Sequence, residues 1–268
     1  MMELDPKFEA LRRTWYSNQL ILYQIIENLK YKETVFLRSG CVHRCIKANA
    51  IRFLEMNFDR YKFFKEPFNL YGSLAHYPDM PSFSFNRVEK RQEQDQFNLD
   101  CQDYMTKYDF LIDIDNPDLA HALVTLKKSM EHFKGVPYYT IFSGTKGFHI
   151  KVDYDDFPDE FKQMSFVDLC NLFKRFAENF SLVNNLTDID YSIYDLRRIA
   201  KTPYSVVFPY YFVALPMSDD MIHNFELEEY SIKTCLSKVS EMRNRGVLKR
   251  QGTGEAFAKL IKKYGNLK

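Results

Sequence analysis

The most regular pattern in the chain is an apolar run that ends in acidic residues, Tyr108-Asp-Phe-Leu-Ile-Asp-Ile-Asp115. Such a run predicts a buried β-strand with a polar end. Asn116-Pro-Asp118 follows it and predicts the end of the strand and the cap of a helix. Apolar residues at helical spacing then predict a helix from Leu119 to Phe133. The buried face of this helix would carry Leu119, Ala122, Leu123, Leu126 and Met130.

A hairpin and a second helix come next along the chain. Tyr138 to Ser143 and Phe148 to Tyr154 are predicted strands, joined by the tight turn Gly144-Thr-Lys-Gly147. Phe161 to Leu182 has helical spacing, and further strands are expected near Tyr204 to Val213. This strand–helix–hairpin–helix order predicts an α+β fold with helices on one face of a sheet.

The flanking regions are less regular. Apolar spacing predicts one amphipathic helix from Lys7 to Leu29 and a second from Ile46 to Phe58. Prolines and a glycine predict loops and short strands in Lys65 to Asn86. Charged residues dominate Arg87 to Asp103, which is interpreted as a solvated connector or a loop over the site.

No linker divides the chain, so residues 1–268 are expected to form a single domain. It would have an N-terminal helical and strand part (1–107), a part with the informative motifs (108–213), and a C-terminal part with a basic tail (214–268). The tail's basic residues are Arg243, Arg245, Lys249, Arg250, Lys259, Lys262, Lys263 and Lys268.

Composition narrows the class of protein. A net charge of +1 means that any nucleic-acid binding must use a local basic patch. The five cysteines are too few and too scattered for a disulfide framework. No apolar run reaches the roughly 20 residues of a membrane span, and the N-terminus lacks a signal-peptide core. We expect a soluble, intracellular protein, cytoplasmic (nucleoid) or nuclear, with no membrane partner.

Asp113 and Asp115 are the first candidate site residues. Two positions apart on a strand, they point to the same face. Neighbouring carboxylates repel each other unless a cation neutralises them, and Mg²⁺ prefers carboxylate oxygens. The alternative is a strand end that simply enters solvent.

Ser143-Gly-Thr-Lys-Gly-Phe-His149 is the second candidate element. A tight turn of this kind can direct backbone N–H groups and Lys146 at a phosphate, and Ser143 and His149 could add further donors. The alternative is an ordinary hairpin with a solvated lysine and a structural histidine. The spacing of a P-loop is absent, which excludes that class.

The third element runs from Asp188 to Ser205 and combines acids with Arg197, Arg198 and Lys201. An acid here could complete a three-carboxylate metal site, and the basic residues could hold phosphates. The alternative is a surface ion-pair cluster. Cys41-Val-His43-Arg-Cys45 has zinc-ligand residue types, but two buried cysteines on a helix edge are the favoured interpretation, and no structural zinc is expected.

Together the three elements resemble the catalytic subunit of archaeal and eukaryotic primases, over roughly Tyr108 to Val207. The resemblance implies the archaeo-eukaryotic primase (prim-pol) fold, with a mixed or antiparallel RRM-like catalytic sheet flanked by helices. It implies that Asp113, Asp115 and Asp190 are the catalytic, metal-binding carboxylates, with Asp188 and then Asp195 as alternatives to Asp190. It also implies a nucleotide site made by Ser143, Lys146, His149, Arg198 and Lys201.

The chain departs from that family where a cysteine-rich zinc motif, an Arg-Glu-Phe string and a later histidine are absent, the last replaced by Val207. These departures favour a compact or divergent member of the family, such as a primase-polymerase, and leave open a loss of primer initiation with extension retained. The expected activity is template-dependent synthesis of RNA or DNA primers on single-stranded DNA, with two Mg²⁺ or Mn²⁺ ions and nucleoside triphosphates as substrates. A large primase subunit or a helicase is a possible partner, and Arg87, Lys90, Arg91 and the basic tail are candidate DNA contacts. The alternatives are a catalytically inactive nucleic-acid-binding or replication-partner module and a metal-dependent nuclease.

Overall fold

The computed structural model describes residues 5–38, 41–46, 67–78, 102–242 and 246–266. The helices are α1 (Pro6–Ser17), α2 (Gln19–Leu29), α3 (Leu119–His132), α4 (Asp159–Lys162), α5 (Phe166–Asn184), α6 (Asp219–His223), α7 (Ile232–Ser237) and α8 (Gly254–Gly265). The strands are β1 (Lys32–Arg38), β2 (Cys41–Ile46), β3 (Asn69–His76), β4 (Lys107–Tyr108), β5 (Phe110–Asp115), β6 (Tyr139–Phe142), β7 (Gly147–Val152), β8 (Ile199–Lys201), β9 (Val206–Val207), β10 (Phe212–Val213) and β11 (Leu215–Met217). Short 3-10 helices cover Tyr154–Asp156, Tyr191–Ile193, Leu227–Tyr230 and Val239–Glu241.

Two antiparallel sheets form the framework. The first has the strand order β2-β1-β3-β4, with β8 also paired to β3. The second has the order β11-β6-β7-β5, and β9 and β10 make a separate two-stranded sheet. Antiparallel sheets with helices packed against them make this an α+β protein, as the sequence predicts.

The two faces of β5 have different surroundings. Phe110 points into the helical layer, where its ring lies 4.8 Å from Phe173 of α5 and 5.3 Å from Phe257 of α8. Burying an aromatic side chain of this kind contributes roughly 1.5–3 kcal/mol. Because strand residues alternate, Asp113 and Asp115 lie on the opposite face of β5. The helices therefore hold one face of the strand rigidly while the other carries the carboxylates.

The predicted strand from Tyr108 to Asp115 is divided between the two sheets. Tyr108 pairs with Ala75 of β3, whereas Phe110 pairs with Val152 of β7. The break falls at Asp109, whose N–H donates to the carbonyl of Leu74. A continuous apolar pattern could not reveal this change of partner, because pairing is decided by residues far along the chain.

Two predicted helices are also interrupted. The Lys7–Leu29 prediction is wrong at Asn18, which leaves helical geometry and caps α2 by accepting from the N–H groups of Leu20 and Ile21. Asparagine competes well for such a cap because its short side chain reaches the first unpaired N–H groups. The Phe161–Leu182 prediction is wrong in the same way, since Ser165 caps α5 and ends the connection from α4.

Of the other predictions, one helix is confirmed, and two segments lie largely outside the described residues. Helix α3 spans Leu119–His132 and is capped by the Asp118 carboxylate, as predicted. The predicted helix from Ile46 to Phe58 begins in strand β2 and otherwise lies outside the described residues, as does Arg87 to Cys101. Among the described helices, none has the length and hydropathy needed to cross a membrane.

Candidate active site

The first two carboxylates lie between β5 and the hairpin strand β7. In the register of these strands Asp113 is opposite His149 and Asp115 is opposite Gly147. Oδ1 of Asp113 is 3.4 Å from Nε2 of His149. A Cβ atom on residue 147 would lie 2.6 Å from Oδ1 of Asp115 and 2.0 Å from the carbonyl oxygen of Ile114. Only glycine permits this approach, because a side chain at position 147 would overlap the Ile114 carbonyl and then the Asp115 carboxylate.

The turn between β6 and β7 brings a lysine to the same place. Gly144 has φ +93°, and a Cβ there would meet Cγ2 of Val207 at 2.3 Å. The backbone N–H and the hydroxyl of Ser143 both donate to the carbonyl of Gly147, each at 3.0 Å, and close the turn. Lys146 then reaches back, with Nζ 2.7 Å from Oδ2 of Asp115. Ser143 is thus buried and engaged within the hairpin, while Lys146 is directed at the acids.

The third acid is placed by backbone pairing with the end of β5. Ile189 forms a β-bridge with Ile114, and the N–H of Asp190 donates to the carbonyl of Asp113 at 2.9 Å. The N–H of Asp115 donates to the carbonyl of Asp188, also at 2.9 Å. These bonds fix the short acidic segment directly beside the Asp113–Asp115 strand.

The Asp188 and Asp190 side chains have different surroundings. Both oxygens of the buried Asp188 carboxylate are occupied, by Asn116 at 2.8 Å and by His121 and Thr125 at 2.8 and 2.7 Å. Burial acts to raise the pKa of Asp188, but the hydrogen bonds from Thr125, Asn116 and His121 outweigh it and lower that pKa. Asp188 therefore anchors the segment to α3.

Asp190 faces the other acids instead. One of its oxygens accepts from the N–H and hydroxyl of Ser192, and the other is 3.9 Å from the guanidinium of Arg198. The same Arg198 nitrogen lies 3.5 Å from Oδ2 of Asp113. Asp195, the other alternative, accepts from the backbone N–H of Arg197 and so caps the turn before β8. The structure thus brings Asp190, but neither Asp188 nor Asp195, into contact with the cation that bridges to Asp113.

Mutual electrostatics show how close these groups are. Burial acts to raise the pKa of Asp113, but a hydrogen bond from His149 and the charges of His149, Arg198 and Lys146 outweigh it, so the pKa lies below its ordinary value. The pKa of Lys146 is raised, mainly by its hydrogen bond to Asp115 and then by the charges of Asp115, Asp113 and Asp190. One lysine feels all three carboxylates, which therefore form a single cluster.

The donor types of this cluster fit a hard divalent cation. Carboxylate oxygens are the ligands that Mg²⁺ and Mn²⁺ prefer. Within the residues that the structure describes, however, no group of three or more acidic, histidine or cysteine side chains is arranged to enclose an ion. Lys146 and Arg198 lie among the carboxylates and balance their charge in this arrangement. Metal binding would require these two flexible cations to swing away from the acids.

Lys201 approaches from the first sheet. It lies opposite Tyr71 in the β3–β8 register, with Nζ 4.0 Å from the centre of the Tyr71 ring and 3.2 Å from Oδ1 of Asn69. Only 9% of its surface is exposed, and burial lowers its pKa to about 7. The pKa of Tyr71 is raised by burial and then by the charges of Asp113 and Asp115, so the Tyr71 phenol lies within the field of the acids.

Several polar atoms at the junction of the two sheets are unsatisfied. His149, Lys201 and Thr202 line one narrow cleft there. In the described part of the chain, Nδ1 of His149, Oγ1 of Thr202 and the neighbouring Nε of Arg198 are buried without a hydrogen-bond partner. A buried donor without a partner costs roughly 1–3 kcal/mol, so such a group in a folded protein needs an explanation. The cleft has a volume of only about 20 Å³, so a ligand could reach these groups only at its mouth.

A buried ionic cluster beneath this cleft was not expected from the sequence. The Asp109 carboxylate is 2.7 Å from both Lys32 and Lys151 and 3.1 Å from His76, and it also accepts from the N–H of Tyr154. Burial acts to raise the pKa of Asp109, but the charges of the two lysines and His76 hold it well below its ordinary value. Lys32 and Lys151 come from different sheets, so Asp109 joins them. The sequence signal for this cluster was a charged residue inside each of two apolar runs, Asp109 in Tyr108–Asp115 and Lys151 in Gly147–Val152.

Other predicted residues are accounted for as follows. Among the tail residues, Lys249 pairs with Asp153 and Asp156, Arg250 with Asp219, and Lys262 with Glu160. Cys41, His43 and Cys45 lie in strand β2, not on a helix, and their side chains fall outside the described residues, as do Arg87, Lys90 and Arg91.

The comparisons with known proteins found similarity to solved structures and not to family models or curated proteins. No protein-family model matches the chain, and no curated protein matches it. Among solved structures, the chain is similar to the AEP domain of the cyanophage S-2L primase-polymerase, with a TM-score of 0.42 and 11% sequence identity. The match covers 87% of this chain and 97% of that one. Similarity at this level assigns neither a family nor an activity, and the site is interpreted from its own geometry.

Proposed function

We propose that this protein is a metal-dependent nucleotidyltransferase of the archaeo-eukaryotic primase type, which joins nucleotides on a single-stranded DNA template. The observation that carries the proposal is the cluster of Asp113, Asp115 and Asp190 with Lys146 and Arg198. The buried Lys201 lines a cleft together with His149, the neighbour of Asp113. An acidic cluster bordered by cations suits a reaction in which divalent ions and a polyphosphate meet.

The roles follow from charge and position. Asp113, Asp115 and Asp190 would hold two Mg²⁺ or Mn²⁺ ions. When bound, such ions activate a 3′-hydroxyl and stabilise a leaving pyrophosphate. Lys146 and Arg198 would exchange their carboxylate partners for phosphate oxygens of the incoming nucleoside triphosphate. That exchange would leave the three acids open to the metal.

The buried groups would bind the rest of the triphosphate. Lys201 has no acid beside it among the described residues, so a phosphate would be its first anionic partner. An anion held there would accept from Lys201 and from Thr202, whose hydroxyl has no hydrogen-bond partner among the described residues. Fixed donors in a site that excludes water stabilise the charge that builds up during phosphoryl transfer. Ser143, whose hydroxyl donates within the hairpin, would shape the turn and could still accept a bond.

Two alternatives are less well supported. A binding module without catalysis would have no use for three clustered carboxylates. A nuclease would have the acids but would have no need for a buried lysine at a triphosphate site.

Template contact is proposed to rest on the nucleic-acid backbone and on base stacking, which makes it sensitive to salt. A large primase subunit or a helicase stays a proposed partner.

The test is a primer-synthesis assay. The purified protein is given single-stranded DNA, Mg²⁺ or Mn²⁺ and labelled ribo- or deoxynucleotides, with and without a primer. We expect labelled products, and we expect Asp113→Asn with Asp115→Asn to lower the rate at least roughly 100-fold, because ligands matter more than the residues that support them.

The matched control is Asp103→Asn with Asp159→Asn, which makes the same chemical change at two exposed positions. It should retain full activity. Products that need a supplied primer would indicate a polymerase without initiation. Absence of product together with absence of nucleotide binding would overturn the proposal in favour of a binding module.

A further inference from the structure

A cavity of about 690 Å³ opens beside β11, at the far edge of the sheet that carries the acidic cluster. Two strands, β6 and β7, lie between β11 and β5. Since neighbouring strands are about 4.8 Å apart, roughly 14 Å separates β11 from β5. A ligand in this cavity would therefore lie at the opposite edge of that sheet from the strand of Asp113 and Asp115.

The floor of the cavity is apolar and firmly supported. Leu215, Pro216 and Tyr230 are buried there, and the half-buried Met221 and Leu248 extend the same surface. The Tyr230 ring is held by Phe142 at 4.8 Å and by Phe225 at 5.0 Å. Aromatic packing of this kind keeps the wall in place, so the cavity belongs to the folded framework.

The rim has the opposite character. Four exposed carboxylates surround the apolar floor, from Asp220, Glu226, Glu229 and Glu241. Among the described residues that line the cavity, Lys238 is the single basic one, and it is paired with Glu229. The rim therefore carries an excess of negative charge.

Floor and rim together define the ligand chemistry. A cavity of this volume with an apolar lining is typical of a binding site, whereas the charge would repel nucleotides and nucleic acid. A ligand whose apolar side chain fills the floor must also carry groups that can lie beside the four carboxylates of the rim. Four residues supply the carboxylates, so a peptide with several basic side chains can pair with more of them than one small ammonium group can.

We propose that this cavity binds a segment of a partner protein in which one or two apolar side chains are flanked by Lys or Arg. The apolar residue would insert between Leu215, Met221 and Tyr230, and the flanking cations would pair with the rim. Such a site would tether a partner to the protein while leaving the acidic cluster open. The inference does not depend on the catalytic proposal.

The test uses a display library of short random peptides selected on the full chain. We expect the enriched sequences to place an apolar residue next to Lys or Arg. Enriched peptides are then synthesised, and their affinities are measured by fluorescence anisotropy. Reversing the rim with Glu226→Lys and Glu241→Lys should weaken binding by about tenfold or more. Met221→Gln should also weaken peptide binding, because it places a polar amide on the apolar floor of the cavity.

The matched control is Glu27→Lys with Glu255→Lys, which changes net charge equally at exposed residues that do not line the cavity. It should stay within about twofold of the unmodified protein, because separated surface charges interact weakly in salt. Circular dichroism verifies that each variant is folded. Failure to enrich any peptide, enrichment of acidic or uncharged sequences, or binding that survives rim reversal would overturn the inference. Primer synthesis by the rim variant should be unchanged, which separates this result from the test of catalysis.

Discussion

Replacing the buried lysine of the candidate site should make the nucleotide-free protein more stable. Lys201 is 9% exposed, and among the described residues its ammonium group meets an amide oxygen at 3.2 Å and an aromatic ring at 4.0 Å. Burial lowers its pKa from 10.5 to about 7. The substitution Lys201→Met removes the charge and keeps a side chain of similar length.

The size of the effect follows from proton linkage. Because the folded pKa lies below the unfolded one, the unfolded chain binds more protons between pH 7 and pH 10.5, so stability rises with pH across that window. The shift corresponds to about 5 kcal/mol, a penalty that is complete below pH 7 and gone above pH 10.5. In Lys201→Met, loss of the hydrogen bond and of the cation–π contact offsets roughly 2 kcal/mol of the stability gained by removing this penalty. Lys201→Met should therefore stabilise by about 3 kcal/mol at pH 6 and by nearly nothing at pH 9.

Urea denaturation at the two pH values measures this difference, with Lys259→Met as an exposed control that should change little at either. Addition of a nucleoside triphosphate tests the functional side. It should raise the melting temperature of the unmodified protein but much less that of Lys201→Met, because a ligand stabilises only what it binds. If Lys201→Met destabilises the protein equally at pH 6 and pH 9, burial of the charged lysine does not lower the stability of the protein, and the prediction is wrong.

Four further substitutions test the surrounding structure. Asp109→Asn should lower the free energy of unfolding by roughly 3–5 kcal/mol in a urea titration, since it leaves two buried lysines without their carboxylate; a loss under about 1 kcal/mol would contradict this. Gly147→Ala should disrupt the hairpin and reduce both stability and primer synthesis, because the new Cβ would overlap a carbonyl oxygen at 2.0 Å. Asp190→Asn should abolish synthesis with stability nearly unchanged, whereas Asp188→Asn should mainly cost about 1–3 kcal/mol of stability; the reverse pattern would exchange their assigned roles.

Local patterns in the sequence were enough to predict several elements. The alternation in Phe110–Asp115 placed both carboxylates on one face of a strand, because side chains alternate whatever the strand pairs with. The helix after Asp118 and the turn at Gly144–Gly147 were likewise predictable, since caps and tight turns depend on residues a few positions apart. The acid candidates Asp188 and Asp190, in contrast, could not be separated by their spacing.

Tertiary structure decided what those local elements meet. Asp188 and Asp190 differ because one faces helix α3 and the other faces Arg198, a choice made by packing across the chain. Asp109 divides a single apolar run between two sheets, which depends on lysines at positions 32 and 151. Burial also gives Lys201 its lowered pKa, since the cost of a charge depends on the atoms around it and not on its neighbours in sequence. The residue types of the site were thus visible in the sequence, whereas their partners and protonation required the fold.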